Sequence, residues 1–200
     1  MSIRHSLLTL LEDGPRYGYQ LRAEFEARTG ATWPLNVGQV YSTLARLERD
    51  GLVTPAEPGE GATDSQVHYR STDKGRAEVA AWFATPVERS NPPRDELAIK
   101  LALAVTVRGV DVERLIQGQR TATIRALQDY TRLKHRTEAS DLAWSLVLDS
   151  LIFSAEAEVR WLDHCEARLA RAAHDGAPTP EAARQSARPA PIADPTGASR

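Results

Sequence analysis

Three observations predict a mainly α fold carrying one small β-hairpin. Apolar residues recur at helical spacing along most of the 200-residue chain. A single turn-rich run, PGEGATDS at 58–65, separates two short extended segments. From Asp95 onward the pattern turns helical and stays so.

The elements follow in order. Ile3, Leu7, Leu10 and Leu11 give a short helix with one apolar face, and Gly14-Pro15 breaks it. Tyr19 to Thr29 forms a second helix with Leu21 and Phe25 inward. Asn36 to Asp50 forms a third, on which a turn of 100° per residue gathers Val37, Val40, Leu44 and Leu47 on one side. Leu52 to Glu57 and Gln66 to Ser71 pair as a hairpin. Thr72 reads as the N-cap of a helix through Phe83, with Asp73 well placed in its first turn. Helix, helix, helix, hairpin, helix is the order of a winged helix-turn-helix, expected over residues 1–88.

The third helix carries the function-bearing pattern. Opposite its apolar side stand Gly38, Gln39, Ser42, Ala45, Arg46 and Arg49, an amide, a hydroxyl and two guanidiniums beside residues too small to hold a helix away from a base edge. Taken alone, an ordinary amphipathic surface helix explains the same residues, and the bland reading leads. The preceding helices and following hairpin reverse that order.

At this point the chain resembles the PadR-like transcriptional regulators. The resemblance rests on LLTLLEDGPRYGYQL from Leu7 to Leu21, ARTG at Ala27 to Gly30, VGQVYSTLARLERDGLV from Val37 to Val53, VHYRSTDKGR at Val67 to Arg76, and Trp82. Roughly the first eighty residues match closely and the rest by pattern. It implies a winged helix-turn-helix that binds DNA, dimerises through C-terminal helices and often releases DNA on binding aromatic or cationic lipophilic compounds. Two departures matter. No Lys or Arg lies between Arg49 and Arg70, where the family wing is usually basic, and Glu57, Glu60 and Asp64 stand there instead. Ser42 follows Tyr41 where the family often has proline. The wing tip is therefore expected to contact phosphate weakly, and base preference to differ from the family's usual sites.

The second half, about 92–172, reads as a C-terminal helical dimerisation domain. Leu97, Leu101 and Ala104 mark a first stripe, and Gly109 with Asp111 restarts a longer helix to about Lys134. Its seam of Val112, Leu115, Ile116, Gln119, Ala122, Ala126, Tyr130 and Leu133 approximates a heptad with small residues in the middle. A last helix begins near Ser140 or Asp141 and runs toward Ala172, with LAWSLVLDSLIF almost apolar all round. Such a helix must be covered on every side. A second copy would cover it through Leu148, Leu151 and Ile152, whereas packing on the winged domain is the monomeric alternative. Residues 173–200, rich in Ala, Pro, Ser and Gly, are expected to be a disordered tail.

Composition bounds the remainder. No apolar run approaches a membrane span, and the N-terminal MSIRHSLLTLLED lacks a secretory pattern, so a soluble cytoplasmic protein is expected. One cysteine, Cys165, rules out an intramolecular disulfide and is expected to be inert packing, with an intersubunit disulfide left open. Lys and Arg total 25 against 27 Asp and Glu, so DNA affinity must come from local charge and two half-sites rather than a global field.

Catalytic chemistry is not nominated. The five histidines, His5, His68, His135, His164 and His174, are scattered, and adjacent His164-Cys165 point about 100° apart on a helix, so no metal is expected. Gly59 and Gly61 lie in the hairpin, not in a phosphate loop. Trp33 is expected to plug the core, and Trp82 to seal the helix after the wing. Trp144, Tyr130 and Trp161 are expected first as packing; alternatively they line an effector pocket.

The reading is a homodimeric, sequence-specific DNA-binding regulator, expected to repress a palindromic double-stranded operator until a small aromatic or lipophilic effector releases it. DNA contacts are expected from Asn36, Gln39, Tyr41, Ser42, Thr43, Arg46 and Arg49. No enzyme activity, cofactor or membrane contact is expected. A winged-helix protein-interaction module without DNA is the competing class, and a small enzyme the third.

Overall fold

Residues 3–56, 66–88, 94–138 and 140–174 are described by a computed structural model. The elements are α1 (Ile3–Leu10), α2 (Gly18–Arg28), α3 (Val37–Arg49), β1 (Val53–Ala56), β2 (His68–Ser71), α4 (Asp73–Ala84), α5 (Glu96–Ala104), α6 (Val112–Arg136) and α7 (Leu142–His174). They fall into two compact units, Met1–Pro92 with Tyr130–Ile152, and Pro93–Asp129 with Phe153–Arg200. The chain passes from one unit to the other after Pro92, again after Asp129, and again after Ile152. At 25 and 33 residues, α6 and α7 rise about 37 and 50 Å, too long for either to belong to one small core.

In the first unit, α1, α2 and α3 close around leucines that exclude solvent completely, Leu7, Leu8, Leu21, Leu44 and Leu47. The helical period places these residues inward, and their joint burial supplies the main stabilisation. β1 and β2 pair antiparallel, with Val53 opposite Ser71 and Ala56 opposite His68. Arg16 adds a one-residue third strand, its backbone N–H donating to the Tyr69 carbonyl at 3.0 Å and its carbonyl accepting from Tyr69 at 2.9 Å. The connection after α1 is thereby fastened to the wing.

Thr72 caps α4, accepting from the Gly75 backbone N–H at 3.1 Å and donating to the Gly51 carbonyl at 2.8 Å. A Cβ on Gly75 would stand 2.2 Å from the Leu52 carbonyl oxygen, so only glycine lets α4 start against the end of the α3–β1 connection. This is the physical content of the TDKG run.

Two sequence expectations fail here, those for Val37 and Trp33. Val37 is 40% exposed, because it opens α3 before the helix reaches the core. Trp33 is 38% exposed, and Leu35, 3% exposed, occupies the core instead. Trp82 is half-buried and stacks on His5 of α1, ring centroids 5.3 Å apart, while its neighbour Phe83 is 67% exposed.

Tyr130–Ile152 supplies the end of α6 and the start of α7 to this unit. Asp141 caps α7, accepting from the Trp144 N–H at 3.1 Å, and Lys134 pairs with Asp149 across the turn. The Trp144 ring lies on Gly30, where a Cβ would come within 2.3 Å of it and φ is +57°. Glycine is required at the end of the ARTG run on both counts. Leu148 is fully buried within the chain itself.

The second unit is thinner. Leu101, Ile116 and Leu162 form its buried centre, with Trp161 and Leu169 packed partly against them. A polar seam joins its parts of α6 and α7. Gln119 donates to Glu158 at 2.9 Å, Gln117 to Glu166 at 2.7 Å, Arg120 pairs with Asp163, and the buried Thr123 hydroxyl donates to Glu158. Thr123, not the expected Ala122, is the small buried residue of the seam.

Candidate nucleic-acid interface

Local chemistry positions α3. Asn36 caps it, its side-chain oxygen accepting from the Gly38 N–H at 2.8 Å, and the buried Val40, Leu44 and Leu47 set which face looks outward. On that outward face Gln39, Ser42, Ala45, Arg46 and Arg49 are exposed and Thr43 is half-buried. Both hydroxyls donate to the Gln39 carbonyl, Ser42 at 3.0 Å and Thr43 at 2.7 Å. Ser42 is thus turned outward as an acceptor, suited to the amino group of an adenine or cytosine edge.

Charge on this unit is distributed unevenly. Arg4, Arg16, Arg22, Arg28 and Arg76 each pair with a carboxylate. Beside Asp13, hydrogen bonding from Arg28 holds the carboxyl below its usual range. Among the described residues of this unit, Arg46, Arg49, Arg70 and Arg136 have no carboxylate partner given by the structure. Two of these four stand together on the outward face of α3, where an anion meets unneutralised guanidinium.

Tyr41 has a mixed role. A Cβ on Gly18 would lie 2.8 Å from its ring, so the glycine of the RYGYQL run seats Tyr41 against the start of α2, yet Tyr41 remains 45% exposed. Tyr69 behind it has its phenol pushed up, first by burial and then by the Glu48 carboxylate and Tyr41. It stays a neutral hydroxyl. Two further exposed side chains of this unit, Arg70 on β2 and Tyr19 on α2, the latter 60% exposed, lie outside the set expected from sequence. An aromatic two positions before the inward Leu21, off the apolar stripe, was the available signal for Tyr19; nothing in the sequence distinguishes a paired arginine from the free Arg70. The acidic wing tip, Glu57, Glu60 and Asp64, lies outside the described residues, as does the tail from 175.

The expected effector and dimer residues separate. Tyr130 and Trp144 are half-buried in the first unit, Trp144 on Gly30, whereas Trp161 belongs to the second. Trp144 and Trp161 stand about 25 Å apart in helix rise along α7, so one small molecule does not span both. Leu148 is corrected from dimer contact to intrachain core, and Leu151 and Ile152 are half-buried. The apolar residues that α7 leaves open are Leu142, Leu146 and Phe153, 60–66% exposed. No cluster of three or more potential metal ligands occurs among the described residues, nor does any helix long and apolar enough to cross a membrane.

A helix-turn-helix with a paired wing and an open polar third helix defines a winged-helix regulator with a helical second half. The family model for the transcriptional regulator PadR-like family matches residues 7–81, and that for the virulence activator alpha C-terminal region matches residues 93–170. The chain is 28% identical over 179 residues to the probable transcriptional regulator Rv1176c of Mycobacterium tuberculosis, covering 82% of this chain and 95% of that one. It is 24% identical over 170 residues to the negative transcriptional regulator PadR of Bacillus subtilis, covering 80% and 93%. Crystal structures of that PadR with operator DNA and with p-coumaric acid superpose with TM-scores of 0.65 and 0.66, over 84% and 83% of this chain and 99% and 97% of theirs, at 21% and 22% identity. The Vibrio cholerae virulence activator AphA superposes at 0.62 and 22% identity, over 85% of this chain and 99% of its own. Over residues 7–81 the chain is similar to the PadR-like family of transcriptional regulators, and over most of its length to the two regulators just named.

Proposed function

We propose that this regulator binds a palindromic operator as a homodimer, represses transcription in the cytoplasm without catalysing a reaction, and is released by a small lipophilic ligand. The observation that carries the DNA reading is the pair of unneutralised arginines, Arg46 and Arg49, on the outward face of α3, in a unit where five other arginines are paired. Gln39, Ser42 and Arg46 read base edges. Tyr41, Thr43 and Arg49 hold phosphates, and Arg70 joins them. Asn36 serves the interface by fixing where α3 begins.

Dimerisation is supported by the open apolar residues Leu142, Leu146 and Phe153 and by the need of two recognition helices to enter grooves about 34–36 Å apart. Repression and ligand release are supported by the relatives' own descriptions, a negative regulator solved on operator DNA and with p-coumaric acid. The test is binding to the intergenic DNA upstream of the protein's own gene against random duplex at several salt concentrations. Arg46→Ala should weaken operator binding by about 1–3 kcal/mol and relax preference at one position per half-site, with folding unchanged. Parent-like binding of both duplexes by Arg46→Ala would exclude this docking face.

A further inference from the structure

Within the second unit, α5, α6 and α7 enclose an open groove of about 440 Å³. Leu101, Val112, Ile116 and Trp161 make its wall apolar, and Cys165 and Arg168 of α7 border it. A volume of this order suits a small ligand rather than a few waters. Its polar equipment is uneven. The α7 carboxylates that face α6, Glu158, Asp163 and Glu166, already accept from Gln119, Arg120 and Gln117. Arg168 has no ion-pair partner among the described residues, and the positions one turn away on α7 are His164, Cys165, Arg171 and Ala172, none of them acidic.

An apolar trough with one free guanidinium at its edge complements a molecule with a long apolar body and one anionic head. The planar fork of arginine matches a carboxylate bidentately. Arg168 and Trp161 lie two helical turns apart on α7, about 11 Å, so the body must be elongated. We propose that this groove binds an amphipathic monocarboxylate of the medium-chain fatty-acid type, its head on Arg168 and its chain along Leu101 and Ile116 toward Trp161. The site is distinct from the surroundings of Trp144. It names the ligand class of the effector proposed above and rests on that reading only for its regulatory meaning.

The test uses the full chain without DNA, titrated with decanoate and with 1-decanol below their aggregation concentrations, followed by tryptophan fluorescence and sedimentation. Decanoate should bind about tenfold more tightly than decanol, the worth of one charge-assisted contact. Trp161→Phe should abolish the fluorescence change, and Arg168→Gln should remove the preference for the anion while retaining decanol binding. Equal affinity for acid and alcohol, or an unchanged preference in Arg168→Gln, would overturn the assignment. So would absence of binding together with a smaller sedimenting species in Ala102→Arg, which would give the groove to a second copy of the chain. Binding as described with no change in operator affinity would uphold the site and remove only the regulatory reading.

Discussion

The two units bury their apolar residues to very different extents. In the first, leucines from three successive short helices and the α3–β1 connection exclude solvent, and Leu7, Leu8, Leu21, Leu44, Leu47 and Leu52 are at most 1% exposed. In the second, among the described residues, Leu101, Ile116 and Leu162 form the buried cluster, while Ile99, Leu103, Val105 and Val107 are 46–60% exposed. Short helices crossing a hairpin enclose a core from several directions. Long helices side by side enclose little, and their specificity comes from a hydrogen-bonded seam instead. The first unit is organised to hold one polar face rigidly. The second leaves apolar surface open for association.

The sharpest way to break this contrast lies on α7, where Leu148 is 0% and Leu146 is 60% exposed. Leu148→Ala should cost about 2–5 kcal/mol in urea unfolding, and Leu146→Ala less than about 0.5 kcal/mol if its surroundings are open. A cost at Leu146 comparable to that at Leu148 would mean that a second copy already covers it.

Backbone crowding is the next largest effect. Gly75→Ala drives a Cβ to 2.2 Å from the Leu52 carbonyl, and since backbone cannot turn aside, a loss of about 3 kcal/mol is expected, with a lowered melting temperature. Parent-like stability would show that the α4 start is looser than described.

Smaller again is the seam. Thr123→Val keeps the shape and removes a hydroxyl donor from Glu158, so about 1 kcal/mol should be lost while Gln119 continues to serve the carboxylate. Because this buried polar contact sets the pairing of two helices, amide exchange in α6 should quicken more than exchange in α3. Uniform quickening across both would remove the distinction between the units.

The smallest effect has the opposite sign. Gly118 lies inside α6, and a Cβ there meets nothing within 4 Å. Gly118→Ala should therefore stabilise by about 0.5–1 kcal/mol through helix propensity alone. Destabilisation would reveal another helix, from a second copy, packed against this glycine.

From the sequence alone, the order of helices and hairpin and the outward face of α3 were legible, because both follow from local rules: a 3.6-residue period, the N-cap at Thr72, and turn residues between the elements. Gln39, Ser42, Arg46 and Arg49 needed no tertiary information, since inward Val40, Leu44 and Leu47 determine where the remaining positions point. Pairing was not legible. Whether an arginine is free or neutralised depends on carboxylates distant in sequence, such as Asp50 beside Arg4 or Asp13 beside Arg28. Nor could periodicity tell which side of an all-apolar helix finds a neighbour within its own chain. Only the tertiary structure decided that Leu148 is core, that Trp144 closes on Gly30, and that Trp161 belongs to a separate groove, because those outcomes depend on which surfaces the folded chain brings together, and local sequence does not encode that distance.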